Sequence, residues 1–133
     1  MLLSRGDVNP NGPGEGGITP LGCASRNMHR RVVKILLERD DVDPDKLDQD
    51  GRTPLWWAAA TGHEGLVKLL LGHSVVNPDK PNKDGRTPLW RAAYSGHTGV
   101  VRLLLGREDV NPNKPDNYGR TPLWWANEHG TGK

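Results

Sequence analysis

The sequence predicts an all-α solenoid: antiparallel helix pairs stacked side by side, with hairpin-like fingers projecting from one edge. Three observations predict it. The hexapeptide Gly-Arg-Thr-Pro-Leu-Trp occurs at Gly51–Trp56, Gly85–Trp90 and Gly119–Trp124, after a weaker copy, Gly17-Ile18-Thr19-Pro20-Leu21. A shift of 34 residues then places all eleven prolines in three columns: Pro20, Pro54, Pro88, Pro122; Pro10, Pro44, Pro78, Pro112; and Pro13, Pro81, Pro115, with Leu47 in the remaining copy. Finally, only 34% of residues are hydrophobic and Phe is absent. That is sparse for one central core, but it suits an array in which each unit buries a stripe against its neighbours.

The period divides the chain into a single array. Residues 1–19 hold a partial unit and its finger; 20–53, 54–87 and 88–121 are full units; 122–133 begin another. In the first segment Leu2-Leu3 aligns with Leu36-Leu37, the end of a helix. Gly12–Gly17 fills a loop column, where a flexible loop is expected. It lacks the Gly-Lys-Ser/Thr of a phosphate loop, and the terminal Gly130–Lys133 is expected to have no strand before it and no helix after it, so neither is expected to cradle phosphate. Both ends fall inside a unit, so the chain is expected to be a fragment of a longer array or a short product derived from one. Its three helix pairs are near the minimum for a stable stack.

Each unit opens with a helix. Thr53 can cap it by accepting a backbone N–H bond, and Pro54 at the first helical position forfeits none. Leu55, Ala58 and Ala59 make one apolar face, and the alanines allow close approach of a neighbouring helix. Gly62 is placed to end the helix in a left-handed conformation. A second helix runs from Glu64, suited to its positive end, to Leu71. Leu66, Val67, Leu70 and Leu71 form its buried stripe, Lys68 faces water, and Gly72 stops it. Helices of about eight residues are unstable alone and require their neighbours. From Val75 to Arg86, Asn77-Pro78, Pro81 and Asp84-Gly85 are turn chemistry throughout, and predict an extended finger.

Composition excludes several classes. With 18 basic and 16 acidic residues, the formal charge of +2 gives no case for nucleic acid or an acidic membrane surface. Cys23 is alone, so no internal disulfide or cysteine zinc site is expected. Apolar runs such as Leu69–Leu71 are far too short to span a membrane. The N-terminus shows no basic region followed by an apolar stretch, and an intracellular setting, cytoplasmic or nuclear, is expected. No catalytic set is visible, because the acids are spread over the fingers and Cys23 has no matched histidine. No cofactor is called for.

The run Gly-x-Thr-Pro-Leu-x-x-Ala-Ala-x-x-Gly-His, followed by x-x-Leu/Val-Val-Lys/Arg-Leu-Leu-Leu and Asp-Val-Asn, resembles the ankyrin repeat over nearly the whole chain. A tetratricopeptide array shares the period but lacks the Thr-Pro-Leu opening and the edge finger. Three departures stand out. The period is 34 where about 33 is usual, with the extra length in the finger around Pro78–Pro81 and Pro112–Pro115. Trp56, Trp90 and Trp124 replace the family's histidine after Thr-Pro-Leu. In the first unit, Gly22-Cys23 stands in place of Trp-Trp or Trp-Arg, and Met28 in place of glycine. The tryptophans and proline-bearing fingers look like the long ankyrin arrays of multidomain proteins of filamentous fungi, which often follow a nucleotide-binding signalling module.

The resemblance implies a non-catalytic scaffold that binds another protein through finger tips and the concave first-helix face. A second reading is a ligand-sensing or autoregulatory segment of a larger nucleotide-binding signalling protein. A monomer is expected unless the array ends stack. Carried over by position, the contact residues are Gln49, Asp50 and Arg52; Ala60 and Thr61; Lys83, Asp84 and Arg86; Tyr94 and Ser95; Asn117, Tyr118 and Arg120. Tyr94 and Tyr118, the only tyrosines, both fall on this surface. Trp56, Trp90 and Trp124 either fill space between first helices or anchor a partner as an aromatic strip. Arg91 in the Trp57 column indicates that this second column is partly solvated. Arg52, Arg86 and Arg120 are either finger arginines paired with Asp or a row facing an acidic partner. His29, His63 and His97 lie one per unit, about 10 Å apart at helix-packing distance. That is too far for a shared zinc, whose ligands lie about 2 Å from one centre. In the family this histidine bonds backbone in the interhelix turn.

Overall fold

The structure is a computed structural model and describes residues 9–124. Its helices are α1 (Pro20–Arg26), α2 (Arg30–Leu37), α3 (Pro54–Thr61), α4 (Glu64–Leu71), α5 (Pro88–Ser95) and α6 (Thr98–Leu105), preceded by a 3-10 turn at Glu15–Gly17. Each odd-numbered helix pairs with the one that follows it. α1, α3 and α5 pack in one row, and α2, α4 and α6 in a second row behind it. Among the described residues no strand forms.

The helix starts follow from three residue types. Thr19, Thr53 and Thr87 sit in extended backbone, and their hydroxyls accept from the N–H of Gly22, Trp56 and Trp90 at 3.1, 3.0 and 3.1 Å. Thr121 does the same for Trp124 at 3.1 Å. Each cap is worth about 1 kcal/mol, and a proline follows each at the first helical position. Helices α3 and α5 end on Gly62 (φ 77°) and Gly96 (φ 75°). The first unit has Met28 at this place, with φ 62°. The glycines after α4 and α6 do different work. Gly72 and Gly106 are right-handed, at φ −73° and −70°, and in the first unit Glu38 replaces them without difficulty.

The core is a continuous sheet of small and branched side chains between the two rows. Leu55, Ala58 and Ala59 of α3 meet Leu66, Val67 and Leu70 of α4, all buried. Leu89 and Ala92 with Val100 and Leu104 repeat the arrangement, as do Leu21 and Ala24 with Val33 and Leu36. Leu71 is only partly buried, at the edge of this stripe. Ser25 takes an alanine's place in α1, and its buried hydroxyl is satisfied by donating to the Leu21 carbonyl at 2.8 Å. Val42, Val76 and Val110, one per unit, close the core beneath the fingers.

The fingers are closed loops rather than strand pairs. Asp48, Asn82 and Asp116 each donate N–H to the carbonyl of Arg52, Arg86 and Arg120 at 3.1, 2.9 and 2.8 Å. At each tip a left-handed glycine makes the turn: Gly51 (φ 77°), Gly85 (φ 78°), Gly119 (φ 79°). Gly12–Gly17, expected to be flexible, forms the first such turn. Gly14 N–H donates to Ile18 at 2.7 Å, and Gly16 accepts from Gln49 N–H at 3.0 Å.

Candidate functional site

The fingers are joined tip to tip. Lys83 N–H donates to the Asp50 carbonyl at 2.9 Å and Asn117 N–H to the Asp84 carbonyl at 2.8 Å. The Asn117 amide adds a bond to the Lys83 carbonyl at 2.8 Å. The tip backbone is therefore fixed while the side chains of Gln49, Asp50, Lys83, Asp84, Asn117 and Tyr118 stay exposed.

Fingers and first helices enclose an open groove of about 530 Å³. It gathers Asp50, Arg52, Lys83, Asp84, Arg86, Tyr94 and Arg120 from the expected contact set, with Trp56 and Trp90 at its floor. Ala60, Thr61 and Ser95 do not line it. They are half-buried at the ends of α3 and α5, where the Thr61 hydroxyl bonds the Ala58 carbonyl at 3.0 Å. Gln49, Asn117 and Tyr118 lie outside it on the finger tips. Sequence reasoning missed Asn82 and gave Arg91 no role, yet both line the groove. The available signal was that each departs from its column: Asn82 stands where the other fingers have Asp48 and Asp116, and Arg91 where Trp57 and Trp125 stand.

The tryptophans resolve into different roles. Trp56 is 7% exposed and Trp90 2%. Each indole N–H reaches forward to the next finger, donating to the carbonyl of Arg86 and of Arg120, both at 3.1 Å. Their buried rings offer a partner little area, which favours packing between first helices over an aromatic strip for these two. Trp124 is 41% exposed. Of the tyrosines, Tyr94 is 43% exposed and stacks on Trp90, ring centroids 5.4 Å apart, and Tyr118 is 70% exposed.

The finger arginines are held by their own chain. Arg52 pairs with Asp48 at 3.0 Å and Asp50 at 2.7 Å and lies over the Trp57 ring, 4.3 Å from its centroid. Arg86 lies as close over Trp90, and because its own finger carries Asn82 it reaches Asp116 of the next finger at 3.3 Å. Arg120 lies over Trp124 at 5.3 Å. Burial pushes the Asp116 carboxyl up, but the backbone N–H groups of Arg120 and Tyr118 and the Arg86 guanidinium outweigh it and hold it below its usual range.

The histidine column divides its labour. His63 Nδ1 accepts from Leu66 N–H at 3.3 Å, capping α4. His97 Nε2 bonds the Ala60 carbonyl of the preceding unit at 3.2 Å. His29 makes no cap bond. Among the described residues no group of three or more His, Cys, Asp or Glu could hold a metal ion, and no helix is long and apolar enough to cross a membrane.

Stacked helix pairs with a fingered edge and an open polar groove define a helical repeat solenoid. The family model described as ankyrin repeats (3 copies) matches residues 1–80 and 65–132, and the chain belongs to the ankyrin-repeat family. No curated protein matches it. Ankyrin repeats generally serve as protein-interaction modules and are typically non-catalytic.

Proposed function

We propose that this array binds a partner protein across the groove between the fingers and the first helices. The observation that carries this reading is the union of a fixed backbone with exposed aromatic side chains. The tips are tied together by main-chain bonds, yet Tyr94 and Tyr118 stand open beside a groove of about 530 Å³. A preordered surface loses little conformational entropy on binding. Tyrosine gives a partner large contact area with few rotamers to freeze. The finger-tip residues Gln49, Asp50, Lys83, Asp84 and Asn117 supply a polar rim.

The test is capture of a cross-linked partner from the native host. Tyr94→Ala combined with Tyr118→Ala should abolish capture while helical circular dichroism is unchanged. Undiminished capture by this variant sinks the surface.

A further inference from the structure

We infer that the groove contains a carboxylate-binding site, built by Asn82 and Arg91, that takes an aspartate or glutamate side chain from an acidic stretch of the partner polypeptide. The inference rests on the protein-binding reading above and names the partner's chemistry.

In the finger at 48–52, the Asp48 carboxylate does two jobs. One oxygen accepts from the N–H of Asp50 and Arg52, both at 2.9 Å. The other accepts from Arg52 Nε at 3.0 Å and from the Trp57 indole at 3.1 Å. That position is electrically closed. In the next finger, Asn82 does only the first job. Its Oδ1 accepts from the N–H of Asp84 and Arg86, both at 3.0 Å. These two bonds fix which end of the amide is oxygen, so Nδ2 is left facing the other way as a donor. It makes no hydrogen bond among the described residues.

The partner position changes with it. Where Trp57 gives its N–H to Asp48, the following unit has Arg91. Its Nε is buried without a hydrogen-bond partner, and it forms no ion pair among the described residues. Its guanidinium lies between two rings, 5.7 Å from the Trp56 centroid and 5.2 Å from that of Tyr94. The rings hold the cation in place without neutralising it. Losing one carboxylate and gaining one guanidinium thus leaves an amide donor and an unpaired cation lining one groove. A buried donor without a partner is costly, and a ligand that supplies an acceptor recovers that cost.

Charge selects the ligand. Arg52, Lys83, Arg86, Arg91 and Arg120 along the lining still outnumber Asp50, Asp84 and the two carboxylates paired behind it, Asp48 and Asp116, so an anion is favoured. Asp50 and Asp84 penalise a dianion more than a single negative charge. A planar carboxylate also matches the guanidinium fork.

The probe is fluorescein-labelled hexaglutamate, followed by anisotropy at low salt against labelled hexaglutamine. Hexaglutamate should bind and hexaglutamine should not. Asn82→Asp restores the arrangement of the 48–52 finger, which already folds with Asp there, and should weaken binding at least tenfold. Arg91→Trp, the residue found in the preceding unit, should do the same. Circular dichroism and melting temperature report folding of both variants. Binding that is absent, or unchanged in both folded variants, overturns the site. Displacement by inorganic phosphate at lower concentration than by free glutamate overturns it in favour of phosphate chemistry. If it fails while the tyrosine double variant still loses capture, the acidic chemistry is wrong and the surface stands. Undiminished capture by that variant removes the surface itself.

Discussion

The Asp79 carboxylate accepts the N–H of Asn111, one unit further along, at 3.1 Å, while its other oxygen is buried without a partner among the described residues. Asp45 stands in the same relation to Asn77, at 2.8 Å, with the same orphaned oxygen. The first copy of this joint is better made. Asn11 accepts from Asp43 N–H at 2.6 Å and donates its amide to the Asp41 carbonyl at 2.7 Å. By the 34-residue correspondence, that second acceptor becomes the carbonyl of Val75 or Asp109.

Burial pushes the Asp45 and Asp79 carboxyls above their usual range. Their folded pKa therefore lies above the unfolded one. The stability they contribute is complete below the ordinary carboxylate pKa and is lost as pH rises through the elevated value. Asp45→Asn with Asp79→Asn should raise the urea midpoint at pH 7 and leave it nearly unchanged near pH 3. Urea titrations of both proteins at the two pH values check this. A loss of stability at pH 7 would show that the orphaned oxygens are better charged than amidated.

Met28 occupies a left-handed position at which Gly62 and Gly96 serve in the other units. A side chain there costs roughly 1–2 kcal/mol in steric strain, and half-exposed Met28 recovers little by packing. Met28→Gly should stabilise the array by about 1 kcal/mol, raising the melting temperature by about 4 °C. Calorimetry is the direct measurement.

Gly85 is left-handed too, but it has a second constraint. A Cβ there would come 2.5 Å from the Asn117 side chain and 2.9 Å from its backbone nitrogen. Gly85→Ala should therefore cost about 2 kcal/mol, more than strain alone, by forcing apart the tips of two fingers. Gly119→Ala is the control, since a Cβ at Gly119 meets nothing within 4 Å among the described residues. Equal losses in both variants would leave the finger contact without energetic weight.

Trp90→Phe keeps a six-membered ring in place but removes the bond to the Arg120 carbonyl together with the five-membered ring that carries it. The expected loss is about 2–3 kcal/mol, from the unpaired acceptor and the vacated space. Trp56→Phe should lose a similar amount through Arg86. Chemical unfolding of each variant measures this, and stability equal to the parent would mean that the indole N–H bonds contribute nothing.

The period and the caps made the solenoid legible from sequence, because Thr-Pro starts and Gly ends have a local cause that needs no neighbour. The buried stripe of α4 was legible for the same reason, apart from Leu71 at its edge. The roles of the tryptophans were not. Whether Trp56 faces solvent or the next finger depends on a carbonyl 30 residues away, and spacing alone carries no information about that contact. The same applies to the arginines: Arg52 and Arg86 look identical in sequence, but Asp48 in one finger and Asn82 in the other send them to different carboxylates. Asn82 and Arg91 depart visibly from their columns, but the bonds this leaves unmade depend on tertiary contacts with Trp56, Tyr94 and the backbone of Asp84 and Arg86.

The forward bonds of Trp56 and Trp90 end on main-chain carbonyls, which every residue possesses. A joint of this kind asks nothing of the side chain at the receiving position. Duplication of one unit would thus create a working seam at once, with no second change needed to complete it. Later substitutions at exposed tip positions such as Gln49 and Tyr118, the turn glycines apart, could then accumulate without opening the seam. Growth in steps of one unit and divergence of the recognition surface are separable in this chain, because one is written in backbone and the other in side chains.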